Sequence, residues 1–188
     1  MNKKKILLAS QSPRRQQLLK DANFIFESIK PIGEETYPAE MPVVDVPLFL
    51  ARQKSYSIDF ASDIILITAD TVVILENEMI GKPTSEQDAK DMLGKLSGKM
   101  HTVVTGVYMR SNQNEIGFST HTNVFFNHLT KENIDFYVEK YKPLDKAGSY
   151  GIQDWIGLIG VEKIEGCFYN VMGLPMSELY KHLSSIDF

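Results

Sequence analysis

The apolar run Ile6 to Ala9 stops at Ser10, and the chain turns through Ser10-Gln11-Ser12 into Pro13-Arg14-Arg15 and an amphipathic stretch carrying Leu18, Leu19 and Ala22. A short continuous apolar run of this kind reads as a buried strand. Ser12 is a good N-cap, and Pro13 suits the first helical position, where a missing N–H and a fixed φ cost nothing. Strand, tight polar turn and helix in so few residues point to an α/β fold. Arg14 and Arg15 then fall in the first helical turn, the wrong end for cations, because a helix N-terminus already carries partial positive charge. Backbone N–H groups, the Ser10 and Ser12 hydroxyls and two guanidinium groups converge on one spot. A bound polyanion, phosphate above all, makes that arrangement favourable. For the pair taken alone, a solvated helix end with surface arginines is the other reading.

The rest of the chain alternates between helical and strand periods. Phe24 to Ile29 reads as a second strand, followed by a polar, proline-bearing segment from Pro31 to Pro42. Val46 to Ile58 reads as a helix, with Leu48, Phe49, Leu50 and Ala51 on a broad apolar face. Ile64 to Ala69 is a buried strand with Asp70 and Thr71 at its end, and Val72 to Leu75 continue the apolar run. Glu76-Asn77-Glu78 looks like a hairpin turn, although no glycine marks it. Thr84 and Gln87 have the spacing of a capping box, ahead of Ala89, Met92, Leu93 and Leu96 on one helical face. Thr102 to Met109 and Gly117 to Phe126 read as an antiparallel pair. Thr130 caps a helix with Ile134, Tyr137, Val138 and Tyr141 inward. Glycines punctuate a short-stranded span from Gly148 to Gly173, and Met176, Leu179, Tyr180 and Leu183 stripe a last helix after Pro175. With no repeat, low-complexity stretch or clear linker, the expectation is one α/β domain over residues 1–188 with a mixed sheet.

Composition narrows the function classes. At 188 residues and 43% hydrophobic content the chain can bury a full core. A net charge of −4 argues against non-specific nucleic-acid or membrane-surface binding, so an anion site is a local basic cluster in an acidic body. The single cysteine, Cys167, excludes an internal disulfide and fits a reducing compartment. The opening Lys3-Lys4-Lys5 with Ile6 to Ala9 resembles the start of a signal peptide, but the apolar run is too short, and no stretch reaches transmembrane length. These features predict a cytoplasmic protein.

Several polar residues fall where site chemistry is plausible. Asp70, at the end of an apolar run, is either a turn-forming aspartate or a carboxylate suited to a divalent metal or to general-base work. Glu34 and Glu35 form either a solvated acidic turn or part of that chemistry. Lys54 lies on a helix face, by default at the surface, and Lys82 is held between Gly81 and Pro83. Asp145 to Gln153 mixes charge, glycines and an amide, as backbone near a ligand does, though a plain loop fits as well. His101, expected at a strand entry, shows no zinc spacing with His121, His128, His182 or Cys167. Gly94 with Gly98-Lys99 is one residue short of a P-loop, and Met100 stands where Ser or Thr is needed. Together Arg14, Arg15, Lys54 and Lys82 with Asp70 and Glu35 are the cations and carboxylates that metal-dependent phosphoryl chemistry requires.

In order, the chain carries Ser10-Gln11-Ser12-Pro13-Arg14-Arg15, Glu34-Glu35, Leu50-Ala51-Arg52-Gln53-Lys54, Ala69-Asp70-Thr71-Val72-Val73, Gly81-Lys82-Pro83, Leu96-Ser97-Gly98 with His101, Asp145 through Gln153, and Gly173-Leu174-Pro175. This series resembles the Maf family, the septum-formation-inhibitor proteins, over nearly the whole chain. The resemblance implies an α/β fold similar to the inosine-triphosphate pyrophosphatases: an elongated, twisted mixed sheet flanked by helices, two lobes around a deep cleft, and often a homodimer. It implies hydrolysis of a nucleoside triphosphate to the monophosphate and pyrophosphate with Mg²⁺ or Mn²⁺. Carried over by position, Asp70 is the proton acceptor and a metal ligand with Glu35, and Arg15, Lys54 and Lys82 contact phosphates, beside Ser10 and Ser12. Arg14, Thr71 and Gln153 match the positions that separate the branches, and this combination resembles the branch acting on dTTP and UTP. A glutamine offers a pyrimidine edge both a donor and an acceptor. One position departs from the pattern: Asp154 follows Gln153 where glycine is usual. Two other functions stand beside this one. They are a division regulator acting through a protein partner, and a related pyrophosphatase with another base preference.

Overall fold

The computed structural model describes residues 5–33 and 35–185. Glu34 and the Lys3-Lys4 start lie outside the described residues. Among the described residues no helix is long and apolar enough to cross a membrane. In chain order the elements are β1 (Lys5–Ala9), α1 (Pro13–Asp21), β2 (Phe26–Ile29), α2 (Val46–Tyr56), β3 (Ile64–Leu75), β4 (Glu78–Ile80), α3 (Glu86–Leu96), β5 (Met100–Arg110), β6 (Glu115–Phe126), α4 (Lys131–Tyr141), a 3₁₀ turn (Ala147–Ser149), α5 (Trp155–Gly160), β7 (Val161–Glu165), α6 (Phe168–Val171) and α7 (Met176–Ser185). The fold is a mixed α/β one, as the alternation of periods predicts. Its strands run β2-β1-β3-β5-β6-β7, with β4 paired to β3. β1 is parallel to both β2 and β3, while β4 and β7 are antiparallel to β3 and β6.

The chain divides into two compact units. The first comprises Met1–Asp70, Thr105–Thr120 and Gly173–Phe188, and the second Thr71–Val104 and His121–Met172. In the first unit, β1 takes the central place its apolar run demands, with Leu8 wholly buried and Leu7, Ala9 and Leu66 packing with Ile58. α2 lies directly on β5. A Cβ on Gly106 would fall 2.2 Å from Leu48 N, so only glycine permits the approach. α7 buries Met176, Leu179 and Leu183, but Tyr180 is exposed against Phe24 and leaves the expected stripe. A helical stripe counts positions, and the last aromatic on it can lie at the rim.

The second unit packs Ala89, Leu93 and Leu96 of α3 and Ile134, Tyr137 and Val138 of α4 around Val73, Val103, Val124, Phe126, Tyr150 and Ile156. α4 starts as expected, with a Thr130–Asn133 capping box. α3 does not start at Thr84. Ser85 is the cap, accepting from Asp88 N–H, while the Asp88 carboxylate takes the Thr84 N–H at 2.8 Å. The competing Ser-x-x-Asp spacing one residue on prevails over Thr84–Gln87. The β3–β4 hairpin forms without glycine, because Glu76 and Asn77 both take positive φ, 52° and 70°, as a two-residue hairpin turn needs. The span after Gly148 holds the short helices α5 and α6 with one strand, β7, rather than a series of short strands.

Candidate active site

In the first unit, Ser10 is buried where β1 ends. Its hydroxyl accepts the Ser12 N–H at 3.2 Å and an Arg15 N–H at 3.4 Å, and its carbonyl accepts from Gln16. Ser12 occupies the N-cap position, but its side chain makes no cap hydrogen bond. The two arginines of the first helical turn differ. The Arg15 guanidinium is fixed by backbone carbonyls: Nε donates to Gly173 O at 2.7 Å and Nη1 to Ala69 O at 2.9 Å. Burial pushes the Arg15 pKa down, Asp70 and Glu35 push it up, and Arg14 adds a further downward push. Guanidinium stays charged in proteins, so Arg15 is a retained cation whose desolvation its carboxylate neighbours offset only in part. An anion at this spot adds to that offset. Arg14 is half-buried one residue earlier.

Lys54, on the last turn of α2, is not a surface lysine. Residue 54 is 9% exposed, and its ammonium donates to Asp70 Oδ1 at 2.6 Å and pairs with Glu35 Oε1 at 2.9 Å. Asp70 does not end a strand or sit at a sheet edge. β3 runs unbroken from Ile64 to Leu75, because Thr71, Val72 and Val73 are β-branched and sustain the extended backbone. A carboxylate inside a strand is held far more firmly than one in a turn. Seven expected residues of the first unit thus fall on three elements and two loops: Ser10 and Ser12 in the β1–α1 turn, Arg14 and Arg15 on α1, Glu35 in the loop after β2, Lys54 on α2 and Asp70 on β3.

In the second unit, Thr71 follows Asp70 in β3 and is half-buried. Lys82 is exposed in the loop after β4, and that loop is tied to the Asp145–Gln153 segment by Gly148 N–H donating to Gly81 O at 3.0 Å. Gln153 is exposed and donates through Nε2 to Asp154 at 3.1 Å. His101 is buried in β5 rather than poised for chemistry. Its Nε2 meets Tyr150 Oη at 2.7 Å, and burial pushes its pKa down to about 4.

A family model described as "Maf-like protein" matches residues 5–186. This chain belongs to the Maf family. A "dTTP/UTP pyrophosphatase" of Phocaeicola vulgatus is 47% identical to this Maf-like chain, over 99% of it and 98% of that protein. Proteins of the same description from Cytophaga hutchinsonii and Porphyromonas gingivalis are 46% and 47% identical, over 96% and 97% of this chain and 84% and 94% of their own lengths. A solved nucleoside-triphosphatase / dITP/XTP pyrophosphatase of Mycobacterium abscessus is similar at a TM-score of 0.45 and 15% identity, over 66% of this chain and 75% of that chain. That likeness is too slight to argue from.

Within this Maf-like chain the Asp70 and Glu35 carboxylates could hold a cation, and both are drawn to one positive centre, the Lys54 ammonium. Two hard oxygen donors fit Mg²⁺ or Mn²⁺, which complete their shells with water and phosphate oxygens. Among the described residues no group of three or more His, Cys, Asp or Glu side chains could hold a metal by itself. A surface groove lined by Met41, Asp45, Leu48, Phe49, Arg52, Tyr108 and Gly117 contains none of the expected site residues. The carbonyls of Ala69 and Gly173 went unnoticed in the sequence. They hold Arg15, and the only signal was Gly173-Leu174-Pro175, whose glycine has φ 109°.

Proposed function

We propose that this chain hydrolyses dTTP and UTP to the monophosphate and pyrophosphate. The observation that carries the reading is the buried Lys54–Asp70 pair, with Glu35 on the same ammonium and the guanidinium of Arg15 fixed on the Ala69 carbonyl beside Asp70. The base preference draws on relatives named dTTP/UTP pyrophosphatase at 46–47% identity. Such a cluster offers positive charge to phosphate oxygens and one firmly held carboxylate to a water molecule. In the reaction, the water oxygen bonds to the α-phosphorus, the bond from that phosphorus to the α–β bridging oxygen breaks, and pyrophosphate leaves with the electron pair. Asp70 orients the water and accepts its proton. Arg15, Lys54 and Lys82 stabilise charge on the phosphates, with Ser10 and Ser12 as neutral donors. Asp70 and Glu35 would hold Mg²⁺ or Mn²⁺, which when bound neutralises phosphate charge. Arg14, Thr71 and Gln153 meet the nucleoside.

Purified protein incubated with a panel of nucleoside triphosphates and Mg²⁺ tests the reading, with monophosphate and pyrophosphate measured separately. UTP and dTTP are expected to turn over fastest, yielding pyrophosphate. Orthophosphate as the product, or no turnover on any nucleotide, refutes it.

A further inference from the structure

Asp154 stands at the N-cap position of α5 and does not cap it: its side chain makes no bond to the N–H groups of the helix. The carboxylate is turned elsewhere. Oδ2 accepts the Tyr137 hydroxyl at 2.8 Å, and Oδ1 accepts Gln153 Nε2 at 3.1 Å. Tyr137 is wholly buried among the core side chains of the second unit, and its oxygen in turn accepts the Gly151 N–H at 3.0 Å. An exposed amide is thereby tethered, through a single carboxylate, to a core tyrosine. Gly151 makes the tether possible. A Cβ there would lie 2.5 Å from Asp154 Oδ2 and 2.7 Å from Gln153 Nε2. Gly151 is not among the positive-φ glycines, so it supplies space for these two side chains rather than an unusual backbone conformation.

The chemistry of the acceptor fixes more than position. An ionised carboxylate only accepts hydrogen bonds, so the Gln153 atom facing it is the NH₂ group. A glutamine amide on its own can turn over, exchanging oxygen for nitrogen. Here that turn would set Oε1 against a carboxylate oxygen, two acceptors with no proton between them. We infer that Asp154 is a positioning residue that locks the Gln153 amide in one orientation and so selects uracil-type over cytosine-type pyrimidines. This rests on the proposed reading in which Gln153 meets the base.

Uracil and thymine present a donor, N3–H, beside a carbonyl acceptor. The locked amide answers with Oε1 and with the N–H that Asp154 does not use. Cytosine, held in the same pose by its sugar and phosphates, presents an acceptor at N3 beside an amino donor. It needs the reverse amide, which Asp154 opposes. Recognition by hydrogen bonds discriminates strongly because the wrong partner leaves polar groups unpaired.

The test compares wild type, Asp154→Asn and Tyr137→Phe. In Asp154→Asn the Tyr137 hydroxyl still donates and takes the amide oxygen, which turns the new NH₂ towards Gln153 and removes the acceptor that held its amide, with little change of shape. Two readouts are taken: pyrophosphate release from UTP and from CTP, and the side-chain amide resonances of Gln153 in ¹⁵N-labelled protein, identified by their loss in Gln153→Glu. In wild type the two amide protons are expected to be well separated in shift and slowed in exchange. In Asp154→Asn they move to the positions of an ordinary exposed glutamine, and the UTP-to-CTP ratio of kcat/KM falls roughly tenfold, about the worth of one such bond. Tyr137→Phe, which keeps the ring and removes the hydroxyl that holds Asp154, shifts the ratio in the same direction. A folded Asp154→Asn with an unchanged ratio overturns the inference, and so does a wild-type Gln153 amide that rotates and exchanges freely. A held amide in a protein that releases pyrophosphate from neither nucleotide overturns the selectivity too, and places the fault in the proposed reaction rather than in the tether.

Discussion

Replacing Asp70 by asparagine separates the electrostatic reasoning from the catalytic one, because the sign of its effect on stability is diagnostic. A lone carboxylate in an apolar site is a burden, and neutralising it stabilises a protein. Asp70 is not alone. Its side chain is 14% exposed, and Lys54 Nζ, on a side chain 10% exposed, is 2.6 Å from Oδ1. The gross attraction at that distance is about 6 kcal/mol at an effective dielectric constant of roughly 20. Most of this is offset by the cost of taking both charges out of water. What survives for a charged hydrogen bond is about 1.5–3 kcal/mol. Lys54 keeps Glu35 at 2.9 Å, and Glu35 is half-exposed, so it recovers only part of the loss. Arg15 also loses the carboxylate that opposes its desolvation.

The expectation is that Asp70→Asn destabilises the protein by about 2 kcal/mol, or roughly 4–8 °C in melting temperature for a chain of this size. Thermal unfolding followed by circular dichroism at low ionic strength measures it. A double-mutant cycle with Lys54→Met assigns the loss to the pair. Pyrophosphate should restore part of the stability, since it supplies the missing negative charge. Turnover of UTP falls at the same time by a hundredfold or more, the usual worth of a positioned general base. An Asp70→Asn variant that melts at or above the wild-type temperature refutes the electrostatic reasoning, whatever its activity. A folded variant with wild-type turnover refutes the role of Asp70 as base.

Arg15→Lys keeps the charge but cannot reproduce the fork that binds Gly173 O, Ala69 O and Ser10 Oγ; UTP turnover should fall at least tenfold in steady-state assays, and an unchanged rate would show that the fork is dispensable. Gly106→Ala would place a methyl 2.2 Å from Leu48 N, so urea titration should show a loss of about 3 kcal/mol or more, and a loss under 1 kcal/mol would mean that α2 shifts easily on β5. Burial lowers His101 to about 4 from about 6.5 in an unfolded chain, so the unfolded state takes up the proton first and stability present above pH 6.5 is lost as pH falls to 4, about 3 kcal/mol in all. Between those limits the stability of His101→Gln should decline less steeply than wild type by about that amount, and parallel curves would contradict it.

What the sequence made legible was whatever a few neighbouring residues decide. The buried run Ile6 to Ala9, the Thr130 cap and the turn at Glu76-Asn77 are each written in adjacent positions and appear where expected. The Thr84 cap failed because Ser85-x-x-Asp88 overlaps it, and two overlapping local signals can be ranked only by the geometry they produce. The family resemblance also came from the chain itself, because its short motifs keep their order from Ser10 to Pro175.

The behaviour of the site side chains was not legible, because charge pairing belongs to tertiary structure. On a helical wheel Lys54 is a surface lysine. It becomes a buried cation because β3 and the loop after β2 bring two carboxylates to its ammonium, one of them 16 positions away. The same holds for Asp154. It stands at the N-cap position of α5, yet the carboxylate goes to Tyr137, 17 positions upstream. In both places a local preference, solvent for a lysine and a helix N-terminus for an aspartate, yields to a partner that only the fold supplies. Such departures cost local stability, and a fold retains them where the displaced side chain does something its default position could not. Lys54 and Asp154 are therefore the residues at which substitution should alter chemistry or selectivity by more than it alters folding.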